Sequence, residues 1–391
     1  MKKLKRSLSL FQITFLGVGT MVGAGIYVLV GKVAGLSEGL SLWAFVAAAF
    51  IASFSAYNHG YLAKHIPSSA GAAEYVHKAF HSPHLALIVG LGVLLTGVVS
   101  SATLANGFYG YLNEFIVLPK WLVITGITIA LFVIACQAVN TSVNFAVTIT
   151  FLELLGLLLV IIFTQSGHFD VELQTPSLSK SDLQLVLAGA FVAFYAYVGF
   201  EDMVNLAEEV KQPDKTMLPA VMLALILTTT LYLLVAWVAL NALPISALAQ
   251  SDAPFADMLS HTPWLAKSIS FIGLIAIING ALVQVLMGSR MLFGLSRDGH
   301  LPKVLNQLNR QHIPVNATLV ITVLVWIFAL VLPLLTLAKL TSGIILIIFT
   351  LVNASATAIA LKKKQYFVAA IGIIGVVLCI LFVGSSFSRT H

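Results

Sequence analysis

Charged side chains are scarce in this sequence. They make up 9% of its 391 residues, where an ordinary soluble domain carries about 25%. Too few remain to cover a water-facing surface, so a free-standing soluble globule is excluded. Cysteine is nearly missing as well. Cys136 and Cys379 fall in separate apolar runs and give neither a disulfide framework nor a metal-ligand spacing. There is no H-E-x-x-H, no Walker loop and no paired Cys/His set, so no metal or cofactor is expected. Without a nucleotide loop, any transport must be secondary rather than ATP-driven. One match to G-x-S-x-G occurs, at Gly35-Leu36-Ser37-Glu38-Gly39. It falls in a turn between two apolar runs and lacks the strand-to-helix setting of a nucleophile elbow. An enzyme is not expected.

What the chain does have is apolar length. Hydrophobic residues make up 59% of it, in runs of about 20, each enough to cross a hydrocarbon core of about 30 Å. The predicted spans are 11–34, 40–63, 84–112, 121–139, 142–165, 183–207, 217–241, 266–293, 315–335, 338–361 and 366–386. The expected fold is an all-α polytopic membrane protein of about eleven spans. The opening Met1 to Arg6 resembles a signal-peptide start, but the apolar run after it is too long and lacks a cleavage site. It is read as the first span.

The net charge of +6 does not indicate nucleic acid here, because membrane proteins gather Lys and Arg in cytoplasmic loops. With the N-terminus inside, 15 of the 21 basic residues lie on the cytoplasmic side. An odd span count then puts the C-terminus outside. Residues 64–83 are expected to hold a short cytoplasmic helix, and 242–265 a surface helix near Phe255-Ala256-Asp257-Met258-Leu259 outside. Residues 294–314 form a basic cytoplasmic loop.

The stretch 183–220 organises the rest. It begins as a membrane helix, reaches Gly199, and meets Glu201 and Asp202 while still at bilayer depth. Two adjacent carboxylates there are costly, and are tolerated only beside a protein-lined or wet cavity. The run Glu208, Glu209, Lys211, Pro213, Asp214, Lys215 marks the exit. A broken helix is predicted. Span one is its partner, with Gly17, Gly19, Gly23, Gly25 and Gly31 in one helix. Those glycines allow either close helix packing or an unwound segment at 20–25. Breaks at matching places in two halves point to a transporter site near the midplane. Helix ends facing each other there suit the carboxylate and ammonium of an amino acid.

Glu153 lies about 16 Å into span five, near the midplane. It is either a hydrogen-bonded packing residue or a carboxyl that exchanges protons. Tyr195, one turn before Gly199, is a packing aromatic or a lid over a ligand. His59 reads as a packed or interfacial histidine, and Asn106 and Asn279 as interhelical hydrogen-bond partners, with cavity lining as the second reading.

GTMVGAGIYVLVG, FYAYVGFEDMVNLAEEVKQPDKTMLPA and SRMLFGLSRDGHLPK resemble the amino acid–polyamine–organocation superfamily of amino acid permeases, over nearly the whole chain. The resemblance implies a leucine-transporter-type 5+5 inverted repeat: residues 1–165, an inverted unit 166–361, and an additional C-terminal helix in 362–391. By motif, Thr20, Met21, Gly23, Ala24 and Gly25 would line the substrate's carboxylate end. Tyr195, Ala196, Val198 and Gly199 would line its amino-group and side-chain end, with Glu201 beyond as a coupling or gating carboxylate. Glu153 stands where several sodium-independent relatives have a Lys, so it would carry a proton or bind a cation. The family commonly has twelve spans, one more than here, and the oligomeric state is open. The expected function is secondary amino acid transport across the cytoplasmic membrane, by proton-coupled symport or exchange. The alternatives are a polyamine or cationic amine carrier, or a non-transporting amino acid sensor. Apolar Ala24, Ala196 and Val198 favour neutral substrates slightly over cationic ones.

Overall fold

Where no water is available, every backbone N–H and C=O must be paired within its own segment, so apolar runs of this length become helices. The computed structural model bears this out over the residues it describes, 6–68, 71–137, 143–165, 176–177, 179–297, 299 and 301–387. Fifteen helices follow in order: α1 Leu10–Ser37, α2 Ser41–His65, α3 Gly71–Phe80, α4 Pro83–Asn113, α5 Lys120–Ala135, α6 Val143–Phe163, α7 Lys180–Tyr197, α8 Phe200–Val204, α9 Pro213–Ala242, α10 Ile245–Gln250, α11 Pro254–Met258, α12 Pro263–Arg297, α13 Val315–Val331, α14 Leu334–Lys362 and α15 Tyr366–Phe387. No strand occurs among the described residues, only an isolated bridge between Leu8 and Val210.

Local chemistry sets the helix starts. Ser9 and Gln12 form a reciprocal capping box at α1, Ser82 caps α4 ahead of Pro83, and Ser179 caps α7; each satisfies N–H groups the helix leaves unpaired. Eight helical stretches are long and apolar enough to cross a bilayer, one of them, Gly25–His65, joining part of α1 to α2. Three further apolar helices, Leu10–Gly23, Lys120–Ala135 and Val315–Val331, are shorter. Large apolar side chains cover the outside of the bundle: Phe50, Ile162 and Val331 are 57%, 67% and 71% exposed. Such a surface belongs in lipid.

Packing is pairwise. α1 lies against α7, α2 against α9, α4 against α12 and α5 against α13. α15 packs on α14, where bare backbone at Gly372 and Gly375 meets Thr357 and Asn353. Asn353 also hydrogen-bonds Asn58 and Ser55 of α2 at 2.9 and 3.0 Å. A buried amide network thus ties three helices together, as apolar contact alone does weakly in lipid.

Two expectations are corrected. α1 is one continuous helix, with no unwound segment at 20–25. Its glycines serve close packing instead, since neighbouring helices press on the bare backbone at Gly17, Gly19, Gly23 and Gly25. The helix near Phe255 is not a surface element either. Phe255, Met258 and Leu259 of the α10–α11 segment are buried, with the Phe255 ring edge-on to Tyr27 at 5.0 Å. The expected helix within 64–83 is α3. Residues 1–5 and most of the expected loop 166–182 lie outside the described residues.

Candidate functional site

The predicted break in span six is present, and Gly199 makes it. α7 ends at Tyr197, Val198 is extended (ψ 132°), and Gly199 takes φ 133° before the five-residue α8 begins. Side-chain-bearing residues are excluded from that conformation. A Cβ on Gly199 would also stand 2.9 Å from the Thr20 carbonyl. The groups freed by the break find partners nearby. The Gly199 N–H donates to Glu201 Oε2 at 2.8 Å. The Thr20 hydroxyl lies 3.0 Å from both the Gly199 and Gly17 carbonyls. The Tyr232 hydroxyl lies 2.7 Å from the carbonyls of Met21 and Ala196, bridging α1 to α7.

Beside the break is a narrow cavity of about 20 Å³, room for about one water and consistent with a carrier closed around its site. Gly19 and Thr20 of α1, Ser100 and Leu104 of α4, Tyr195, Val198 and Asp202 at the break, and Asn279, Gly280, Val283 and Gln284 of α12 form its wall. Two polar pairs cross it. The Tyr195 hydroxyl and Ser100 Oγ are 3.0 Å apart, and Gln284 Nε2 donates to Asp202 Oδ2 at 3.3 Å. Helical spacing explains the α12 contribution: at about 3.6 residues per turn, 279, 280, 283 and 284 fall on one face.

Glu153 sits behind this wall on α6, fully buried. Its carboxyl lies flat on bare α1 backbone, so that a Cβ on Gly23 would be 2.7 Å from Oε1. Neither oxygen meets strict hydrogen-bond geometry with a partner among the described residues, and the Asn279 side chain is the polar group that interacts with the carboxyl more loosely. The Tyr27 hydroxyl donates to the Glu153 backbone carbonyl at 2.8 Å and fixes α6 against α1. A carboxyl buried this way at bilayer depth is costly to ionise.

A family model described as amino acid permease matches residues 8–390. The chain belongs to the amino acid permease family. It is 27% identical to the branched-chain amino acid permease BcaP of Bacillus subtilis, over 93% of this chain and 82% of that protein. It is 29% identical to the inner membrane transport protein YbaT of Escherichia coli, over 97% and 89%. Against the vacuolar cationic amino acid transporter 4 of Arabidopsis thaliana the identity is 28% over 90% of this chain, which spans 62% of that relative's length.

In this permease the cavity collects Thr20, Tyr195 and Val198 from the residues singled out in the sequence. Met21 and Ala196 are buried in helix contacts, and Gly25 is closed by Ala196, whose Cα would lie 2.3 Å from an added Cβ. Gly23 faces Glu153 rather than the cavity, and Gly199 shapes the break without joining the wall. The side chain of Ala24 lies outside the described part. Glu201 is turned to its own helix start, and Asp202 takes the cavity face. Sequence reasoning missed Ser100, Leu104, Gly280, Val283 and Gln284. The signal for the last three was Asn279, Gly280 and Gln284 on one side of an otherwise apolar span. Asn106 behaves as expected, donating across to the Ala329 carbonyl at 3.0 Å, and His59 is packed between Phe200 and Phe349.

Proposed function

We propose that this permease carries amino acids across the cytoplasmic membrane by alternating access. One observation carries the reading: six polar side chains, Thr20, Ser100, Tyr195, Asp202, Asn279 and Gln284, meet in a cavity beside the interruption of a membrane helix. A small zwitterion needs a few convergent polar groups in an otherwise apolar wall. The relatives' printed functions supply the substrate class, amino acids.

Each end of the bundle carries its own closure. At one, Lys32 Nζ donates to the carbonyls of Ala249 and Ser251 at 2.8 and 2.9 Å, pinning α10 to α1. At the other, Ser7 and Leu8 N–H groups donate to Glu209 O at 2.8 and 3.0 Å, and Lys211 N–H donates to Leu8 O at 3.0 Å. Separate closures around a central cavity suit a carrier that opens one side at a time.

The architecture we propose is eleven spans with the N-terminus cytoplasmic, as two inverted five-helix units, 1–165 and 166–361, then 362–391. Packing supports it. Besides the direct pairs, α1 meets α9 as α2 meets α7, and α4 meets α14 as α6 meets α12. These two cross contacts have their counterparts, as a two-fold relation between halves demands.

Glu153 and Glu201 are the proposed coupling carboxylates, Glu153 because its oxygens are buried with no close hydrogen bond among the described residues. Coupling requires that the two orientations of the carrier differ in proton affinity. Uptake of labelled amino acids into proteoliposomes, with an imposed pH gradient and with or without sodium, tests the whole reading. Proton-driven, sodium-independent uptake is expected. Uptake that ignores pH but needs sodium recasts Glu153 as a sodium ligand, and absence of uptake for every amino acid overturns transport.

A further inference from the structure

Among the described residues lining the cavity, Asp202 alone is an acid, and no Lys, Arg or His shares the wall with it. We propose that Asp202 sets the permease's specificity by pairing with a cationic substrate side chain, an ammonium or guanidinium remote from the α-carbon. The inference rests on the transport reading and gives it a substrate class.

The case begins with how the two adjacent acids are used. Glu201 Oε2 is engaged by the Gly199 N–H at 2.8 Å. Asp202 has one side-chain partner among the described residues, Gln284 at the long distance of 3.3 Å, and it belongs to neither described ion pair. A carboxylate in a low-dielectric cavity without a cation is costly. A cationic ligand group removes that cost.

Three backbone acceptors near the break are already engaged within the protein. Tyr195 O already accepts from Val198 N–H at 3.0 Å, and Gly199 O from Asp202 N–H at 3.1 Å. Ala196 O has the Tyr232 hydroxyl at 2.7 Å. The remaining wall fits the rest of such a substrate. Thr20, Ser100, Tyr195 and Asn279 offer hydroxyl and amide groups to a zwitterionic head, and Leu104, Val198 and Val283 offer apolar surface to an aliphatic stem. Of the residues expected to favour neutral substrates, Val198 lines the cavity, whereas the Ala196 methyl is packed on Gly25.

The test is competition and binding on the purified full chain, with lysine, ornithine and arginine set against leucine and alanine. Wild type should bind the cationic set more tightly. Asp202→Asn should weaken the cationic set on the order of tenfold or more, the scale of losing one partner of a desolvated charge pair. It should leave leucine and alanine within about threefold, and Asp202→Glu should restore part of the loss. Asp214→Asn, an exposed acid at the start of α9, should change nothing. Wild-type protein that prefers leucine and alanine overturns the inference even if Asp202→Asn does not fold, while leaving amino acid transport standing. Equal losses for both sets also overturn it, since Asp202 would then hold the α-ammonium common to all amino acids. Ligand binding is read by thermal shift separately from uptake, so binding of the cationic set without uptake sinks transport but not the Asp202 assignment.

Discussion

Gly199 and Glu153 show two ways in which a single residue shapes the cavity region. Gly199 holds φ 133° with its α-carbon against the Thr20 carbonyl, so any side chain meets both backbone strain and a clash. Gly199→Ala should cost about 1–3 kcal/mol, seen as a lower melting temperature in detergent; a variant that melts like wild type would show that the break accepts a Cβ. Glu153 is the opposite case, a group whose removal relieves a cost. Both oxygens are buried with no close hydrogen bond among the described residues, and hydrocarbon makes a charge there unfavourable. Glu153→Gln keeps shape while removing the titrating proton, so it should melt no lower than wild type. In proteoliposomes the same variant should flatten the pH dependence of uptake. An unchanged pH profile would remove Glu153 from coupling.

At the scale of elements, the α10–α11 segment is held by one cation. Lys32 meets two carbonyls, and Asp252 stands 3.8 Å away. Backbone also touches backbone there: a Cβ on Gly31 would lie 2.1 Å from Leu248 O, and one on Gly110 2.2 Å from Asp252 O. Hydrogen bonds from a charged donor contribute about 1.5–3 kcal/mol each. Lys32→Met should therefore loosen the segment, raising thiol labelling of a cysteine placed at Leu248 while α1 and α7 stay packed. Labelling that stays at the wild-type level would mean apolar burial of Phe255 and Leu259 holds the segment alone. This closure was not legible in the sequence, because Lys32 and Leu248 are far apart in the chain and 242–265 reads as an exposed loop. The apolar helices themselves were legible from run length, and the break at Gly199 from a glycine followed by two acids. The α1 glycines were ambiguous for a physical reason. Glycine permits unwinding and close contact alike, and only the neighbours, Met203, Thr150, Glu153 and Ala196, show that contact applies here. The choice between Glu201 and Asp202 was equally hidden, since one residue of helix rotation, about 100°, decides which carboxylate faces the cavity.

Across the two proposed halves, helices pack on their own counterparts, α1 on α7, α2 on α9, α4 on α12. Such pairing makes sense if the halves lie inverted in the bilayer, and an odd number of spans in each half is what inverts the second. The charge distribution gives an independent handle on the same question, because basic residues accumulate on the cytoplasmic side. Lys211 follows α8, at the end of the bundle where the chain starts, and Lys303 follows α12. Both belong to the 15 of 21 basic residues that the N-inside orientation gathers on one face. α13, α14 and α15 then take the chain across three more times, leaving Ser385 near the end of α15 on the other face. Single cysteines at Lys211, Lys303 and Ser385, probed with a membrane-impermeant thiol reagent on intact cells, should give protection, protection and labelling. The weak points are α5 and α13, whose 16 and 17 residues span only about 24–26 Å at 1.5 Å per residue. If either fails to cross, the parity of every later loop reverses. Protection at Ser385 together with protection at Lys303 would place an even number of crossings after α12 and remove one helix of the last three from the membrane count. Labelling at Lys303 with protection at Lys211 would move the error to α9 or α12 and break the inverted relation between the halves.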